Sequence, residues 1–204
     1  MDLGYIMENN MKNIKNKKVL IVGGASSASK QPEKWYNSFD IIVRCNNYKK
    51  SNNSRTDIFY SYFGRNIKKT PEELKKDGVK FLISKCPNAD MSKQLSAYEI
   101  DMKDYRWIYK LRENWWFCDL HIMSIEEMLE QISLMGNTMP TTGLSAILFF
   151  VKRQCNVNII GFDCFDTNIH NLNEVWDQSG NHNLKKEKEI ISNLTKNKLI
   201  NWNK

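Results

Sequence analysis

Short, uninterrupted apolar runs alternate along the chain with polar and turn-rich stretches, at a spacing that predicts parallel strands joined by helices. Val19-Leu20-Ile21-Val22 carries no polar position, the pattern of a strand buried on both faces. Phe39-Asp40-Ile41-Ile42-Val43-Arg44 predicts a second strand that ends at Cys45-Asn46-Asn47. Asp57–Ser61, Val79–Ser84 and Val157–Gly161 predict three more, and Trp107–Leu111 is a further candidate.

Helix signals fall between these runs. Thr70-Pro71-Glu72-Glu73 combines a threonine cap, proline at the first helical position and a glutamate that closes a capping box, with Gly78 as the stop. Ser124-Ile125-Glu126-Glu127 opens a second box; Ile125, Met128, Leu129 and Ile132 then share one face, and Gly136 ends the helix. Leu144–Arg153 is apolar nearly all round, which predicts a buried helix, whereas Leu184–Leu199 is amphipathic and rich in lysine. The predicted architecture is an α/β sandwich with a mainly parallel sheet. Residues 1–16 are expected to be a flexible polar leader and 17–204 one domain. Within it, the poorly patterned stretch of about 87–119, with Trp107, Tyr109, Trp115, Trp116 and Phe117, is expected to form a lid or acceptor surface.

Composition narrows the setting. The net charge of +7 points to anionic partners. Lysines cluster near the two ends, where solvated faces are the commoner outcome. No run of about 18 apolar residues encodes a membrane span, and the first residues lack the features of a secretory signal. Five cysteines form no Cys-x-x-Cys pair, which fits reduced thiols in the cytoplasm.

Candidate chemistry gathers where predicted strands end, the usual place for ligands in an open α/β sheet. Gly23-Gly24-Ala25-Ser26-Ser27 follows the first strand directly. Its glycines allow close backbone approach and its N–H groups can bind an anion, or it is a tight strand-to-helix turn. It lacks the third glycine of a dinucleotide fingerprint, and the chain has no Gly-Lys-Ser/Thr of a P-loop. Asn46 and Ser61 end the second and third strands, as ligand-reading groups or as turn residues. Thr141-Thr142-Gly143 opens the buried helix, either as caps or as ligand contacts. Gly161-Phe162-Asp163 closes the following strand with a carboxylate that could accept from ribose hydroxyls. Of three histidines, His182 is the candidate general base, five positions before Glu187 and close enough in sequence to be oriented by it; His170 is the reserve. A chemically inert surface imidazole is the alternative. No spacing of His, Cys or Asp predicts a metal site, so metal-free chemistry is expected.

Together these segments resemble sialyltransferases. Pro140-Thr141-Thr142-Gly143-Leu144 through Cys155 to Gly161-Phe162 is similar to sialyl motif S of glycosyltransferase family 29. His182-Asn183-Leu184-Lys185-Lys186-Glu187 resembles its very short His-x4-Glu motif, and Val19–Ser27 with Phe39–Asn46 resembles motif L. The glycine-rich loop, Arg44-Cys45-Asn46 and Gly161-Phe162-Asp163 also resemble family 42. The likeness covers roughly the first and last thirds of the chain.

The resemblance implies a Rossmann-like, GT-A-like fold and metal-independent, inverting transfer of sialic acid or a related 2-keto sugar acid. The donor would be CMP-activated and serve as substrate, with no further cofactor. A glycan or glycolipid hydroxyl would accept, and the basic tail would allow peripheral contact with anionic membrane; nucleic acid is not the expected partner. By match to the motifs, Gly23, Gly24, Ser26, Ser27, Asn46 and Ser61 would line the nucleotide. Thr141, Thr142 and Gly143 would contact cytidine or sugar, and Gly161, Phe162 and Asp163 the ribose and base. His182 would be the general base, with Glu187 beside it. Departures are visible: Gly24 and Ser61 stand where asparagine is common, and the aromatic third motif is at best Glu174-Val175-Trp176-Asp177, leaving Trp176, a lysine or backbone N–H groups to assist the phosphate. The animal family's disulfide has Cys155 near one position but Val19 at the other. Two other classes remain open from the residues alone: a methyltransferase or dehydrogenase using the Gly23–Ser27 loop, and a catalytically degenerate module binding glycan or nucleic acid.

Overall fold

The structure, a computed structural model, describes residues 14–50, 54–63, 68–85, 118–162, 169–170, 174–175 and 182–203. The strand candidate Trp107–Leu111, the aromatic stretch up to Phe117, and the site candidates Asp163 and Trp176 lie outside the described residues.

Seven strands form one sheet in the order β5-β4-β3-β2-β1-β6-β9, and every neighbouring pair is parallel. They are β1 (Lys18–Val22), β2 (Ile41–Cys45), β3 (Ile58–Ser61), β4 (Phe81–Ser84), β5 (Asp119–Ile122), β6 (Asn156–Ile160) and β9 (Ile200–Asn203). The two-residue strands β7 (Ile169–His170) and β8 (Glu174–Val175) pair separately and antiparallel. The chain winds outward from β1 through β2, β3, β4 and β5, then returns to β6 on the other side of β1. That reversal makes a switch point between β1 and β6, with the ligand crevice expected beyond their carboxyl ends. The mainly parallel sheet is as the sequence pattern predicts. The two edge strands, β5 and β9, escaped that pattern because Asp-Leu-His-Ile and Ile-Asn-Trp-Asn are short and half polar.

Helices cover both faces. They are α1 (Glu33–Tyr36), α2 (Pro71–Asp77), α3 (Ile125–Leu134), α4 (Thr142–Lys152) and α5 (Leu184–Lys196). Val19 and Ile21 face Leu144, Ile147 and Phe150 of α4, while Leu20 and Val22 face Tyr36 and Phe39. Consecutive strand residues thus bury into opposite layers, which is why β1 needs an unbroken apolar run. Both expected capping boxes form, at Thr70 with Glu73 and at Ser124 with Glu127. Ile14, which the sequence assigns to the leader, is buried in the main core, and the Asn16 N–H donates to the Gln154 carbonyl at 3.0 Å.

After β1 a regular helix was one expectation. Instead a 3-10 turn, Ser26–Ser29, is followed by the single turn of α1. The Ala25 cap has no side-chain acceptor, and Pro32 caps α1 separately, so no continuous helix can start at the glycines.

The glycines have a different duty. Gly23 N–H donates to the Ile160 carbonyl at 2.8 Å, and Ala25 N–H to the Gly161 carbonyl at 3.0 Å. A Cβ on Gly23 would lie 2.2 Å from the Gly161 oxygen, and Gly161 itself has φ +75°. Two backbones touch here, so neither loop has space for a side chain. Gly23→Ala is therefore expected to cost about 3 kcal/mol or more. Gly136→Ala, at φ +69° with nothing within 4 Å of the added methyl, should cost only about 1 kcal/mol. Chemical denaturation of the two variants side by side checks the ordering.

Candidate active site

Because all seven strands run the same way, the residues just past β1, β2, β3, β4 and β6 share one edge of the sheet. The start of α4 lies over it. Thr141 caps α4, its Oγ1 accepting from the Leu144 N–H at 3.3 Å. Asn46 Nδ2 donates to Thr142 Oγ1 at 3.0 Å, tying the end of β2 to the first residue of the helix. Ser61 Oγ, at the end of β3, donates to Asn46 Oδ1 at 2.9 Å and accepts the Phe63 N–H at 2.9 Å. The left-handed Asn46 (φ +50°) turns the chain so that its amide points along this row.

The segment just before α4 is held by three ionisable side chains, one on each successive residue. His182 Nδ1 sits 2.9 Å from the Met139 carbonyl oxygen. Lys85 Nζ, immediately after β4, donates to the Pro140 carbonyl at 2.7 Å. Both oxygens of Glu187 are engaged by Thr141: Oε1 accepts its N–H at 2.6 Å and Oε2 its hydroxyl at 2.7 Å. Glu187 and Lys85 are buried and His182 is partly buried.

Chemistry fixes the tautomer of His182. A carbonyl oxygen only accepts, so Nδ1 must carry the hydrogen and Nε2 the lone pair. Burial pulls the imidazole below its ordinary value; the Met139 bond opposes this, and the nearby Lys85 cation adds to it. The ring is therefore neutral near pH 7 and able to accept a proton. Burial pushes the Glu187 carboxyl up, against the opposing pull of the two Thr141 hydrogen bonds and of Lys85.

The sequence candidates thus divide into groups. Gly23, Gly161, Phe162, Gly143, Thr142, Asn46 and Ser61 form one connected edge: a Cβ on Gly143 would meet the Phe162 ring at 2.7 Å, beside the Gly23–Gly161 contact. Thr141, His182 and Glu187 join it through the pre-helix segment. Gly24 and Ser27 are partly exposed on the 3-10 side and Ser26 is exposed. Ser61 is fully buried, a support for Asn46 rather than a surface group. The imidazole takes its orientation from Met139, not from Glu187. Asn183 caps α5 between the two, and each side chain reaches a different residue of the same loop. Sequence reading missed Lys85, whose partner is a main-chain carbonyl. Among the described residues no group of three or more His, Cys, Asp or Glu could hold a metal ion. Among them, too, no helix is long and apolar enough to cross a membrane.

These features define a Rossmann-like, GT-A-like α/β fold with a polar site at its switch point. No protein-family model matches the chain, and no curated protein matches it in sequence. Among solved structures it is similar to a mammalian sialyltransferase with a TM-score of 0.60 at 13% identity, covering 100% of this chain and 79% of that one. It is likewise similar to a mammalian sialyltransferase in complex with Gal-β-1-3GalNAc-ortho-nitrophenol, with a TM-score of 0.59 at 13% identity, covering 98% of this chain and 78% of that one. At such identity the likeness is one of fold.

Removing the Glu187 carboxylate leaves the Thr141 N–H and hydroxyl without their acceptor. Glu187→Ala is expected to cost about 1–3 kcal/mol. Glu187→Gln, which keeps one carbonyl acceptor, should cost less. The sign with pH follows from the raised carboxyl: the folded state holds the proton more tightly than the unfolded chain. Wild type should lose stability relative to Glu187→Gln as pH rises from the ordinary glutamate value of 4.5 through the raised one. Urea midpoints across that range check the slope.

Proposed function

We propose that this protein is a sialyltransferase-like enzyme, related to glycosyltransferase family 29 with features of family 42. It moves sialic acid or a related 2-keto sugar acid from a CMP-activated donor to a hydroxyl of a glycan or glycolipid, without metal. The observation that carries the reading is the convergence of its motif residues. Gly23, Asn46, Ser61, Thr141, Thr142, Gly143, Phe162 and His182, spread over most of the chain, meet through the contacts above at one sheet edge. The sialyltransferase-like fold supports it.

In this reading the acceptor oxygen attacks C2 of the sugar acid. The bond from C2 to the phosphate oxygen breaks, and CMP leaves with the electron pair. His182 Nε2 takes the acceptor proton, and the anomeric centre inverts. The start of α4 is suited to an anion through its helix dipole and N–H groups. Thr142 Oγ1 accepts from Asn46, which leaves its own hydrogen for a phosphate or ribose oxygen. Asp163 and Trp176 belong to the proposed donor site on the motif match alone. The basic face of α5 is where a peripheral approach to anionic glycolipid would occur, and a cytoplasmic setting fits the thiol content.

The test is CMP release from CMP-sialic acid, with and without Gal-β-1-3GalNAc as a first acceptor, beside thermal shifts with CMP, NAD and S-adenosylmethionine. A CMP-specific shift and acceptor-stimulated release are expected; a shift with either other nucleotide instead would sink the reading. His182→Ala should lower turnover about 10²–10⁴-fold with CMP affinity little changed. The acid limb of the wild-type rate should fall below the ordinary imidazole value of 6.5, because the neutral ring is lost only as pH drops through its lowered value.

A further inference from the structure

Lys85 is a costly residue to place where it is. Its side chain is only 5% exposed, at the end of β4, and a buried ammonium forfeits its hydration. The compensation visible around it is specific. It donates to the Pro140 carbonyl, and the carboxylate of Glu187 lies close enough to feel its charge. Among its neighbours from other elements are His182 and Glu187 at the start of α5 and Cys45 at the end of β2. The Cys45 thiol is pushed up to about 12 by burial, with Lys85 pulling the other way, and so is uncharged at neutral pH.

We propose that Lys85 is the positioning residue of the site: the central member of a three-point clamp in which His182, Lys85 and Glu187 grip Met139, Pro140 and Thr141 in turn. Of the three, Lys85 alone is anchored at a strand end, directly after β4, where its N–H donates to the Ser61 carbonyl at 2.9 Å. His182 and Glu187 come from the start of α5 and, without Lys85, would hold the segment only to that helix. Lys85 therefore fixes Thr141, Thr142 and the imidazole relative to Asn46 and the strand ends. Its cation also disfavours a second positive charge at His182, which keeps Nε2 available as a base. A lysine serves here because a compact ammonium fits a single carbonyl, where a planar guanidinium would need a fork of acceptors. The proposal deepens the transferase reading, although the clamp itself is a property of the folded chain.

The experiment is NMR titration of the histidine ring signals in wild type, Lys85→Met and Lys85→Gln, with His182→Gln to assign the resonance, and amide exchange measured at Thr141. Loss of the cation should move the His182 titration to higher pH in both Lys85 variants. Thr141 exchange should quicken about tenfold or more in Lys85→Met, while amides of β1 and β6 stay protected. An unmoved His182 titration, or an unchanged Thr141 exchange rate, overturns the proposal. Should both variants fail to fold, the wild type still decides: a buried, hydrogen-bonded ammonium gives a slowly exchanging Lys85 signal, and rapid exchange of that signal overturns the clamp. The arms separate the two readings. A shifted His182 titration in a protein that does not bind CMP keeps the clamp and ends the transferase reading; CMP binding with an unmoved titration does the reverse.

Discussion

The backbone contact between Gly23 and Gly161 is the constraint on which the site depends. β1 and β6 are adjacent in the sheet but far apart in sequence, and the chain leaves them toward opposite flanks. Where they end, the two loops press together with an N–H to carbonyl bond on either side. A side chain on either glycine would drive the strands apart at the point where the crevice opens. The contact also sets Phe162, whose ring lies against Gly143 and whose carbonyl accepts from the Trp202 indole at 3.1 Å. This close approach between two main chains thus joins the Asn46–Thr142 and Lys85–Pro140 bonds in setting where α4 begins relative to the sheet.

From that point the edge is organised by polar groups that answer one another. Ser61 supports Asn46, Asn46 holds Thr142, and Thr141 is held by Glu187. Beneath them Tyr60, Ser145 and Gln131 form a buried hydrogen-bonded trio that fastens α4 to β3 and α3. Arg44, buried one residue before the end of β2, donates to Ser54, Thr56 and the Arg55 carbonyl and lies between the rings of Tyr36 and Tyr48. Such networks are favourable only when each member is satisfied, and they then resist rotation of any one side chain. A site built this way meets its ligand with little left to order, which lowers the entropic cost of binding.

The sequence made the centre of the sheet legible and its margins obscure. Strand β1 is apolar throughout Val19–Val22 because both faces are covered, and β6 buries Val157, Ile159 and Ile160 around a single buried amide, Asn158, so the two read clearly as central strands. Thr70 and Ser124 carry capping boxes that any reader of the chain can find. Strands β5 and β9 sit at the edges, where one flank is open and polar residues are tolerated, so period-two or continuous apolar signals fade. Of the site, residue positions were more legible than duties. Asn46 and Ser61 stand where ligand contacts were expected, yet the amide and the hydroxyl are engaged with each other and with α4. Gly23 signalled close approach, but the approaching group is another backbone. Lys85 gave almost no signal, because its partner is a carbonyl, and main-chain acceptors leave no mark in sequence.

The same edge also discriminates among nucleotide enzymes. A dinucleotide site in an open α/β sheet places a carboxylate near the end of the second strand, to take the ribose hydroxyls. Here that strand ends in Arg44-Cys45-Asn46. The arginine is turned into the fold, the thiol is half-buried and un-ionised, and the amide bridges Ser61 to Thr142. Glu187, a carboxylate at this edge, has both oxygens committed to Thr141. What the edge offers instead are hydroxyls, the start of a helix and a neutral imidazole with Nδ1 already satisfied. Those groups favour an anionic leaving group and a proton in transit over an adenosine ribose. In the reading proposed above, that balance of groups suits transfer of a sugar with a nucleoside monophosphate as the leaving group.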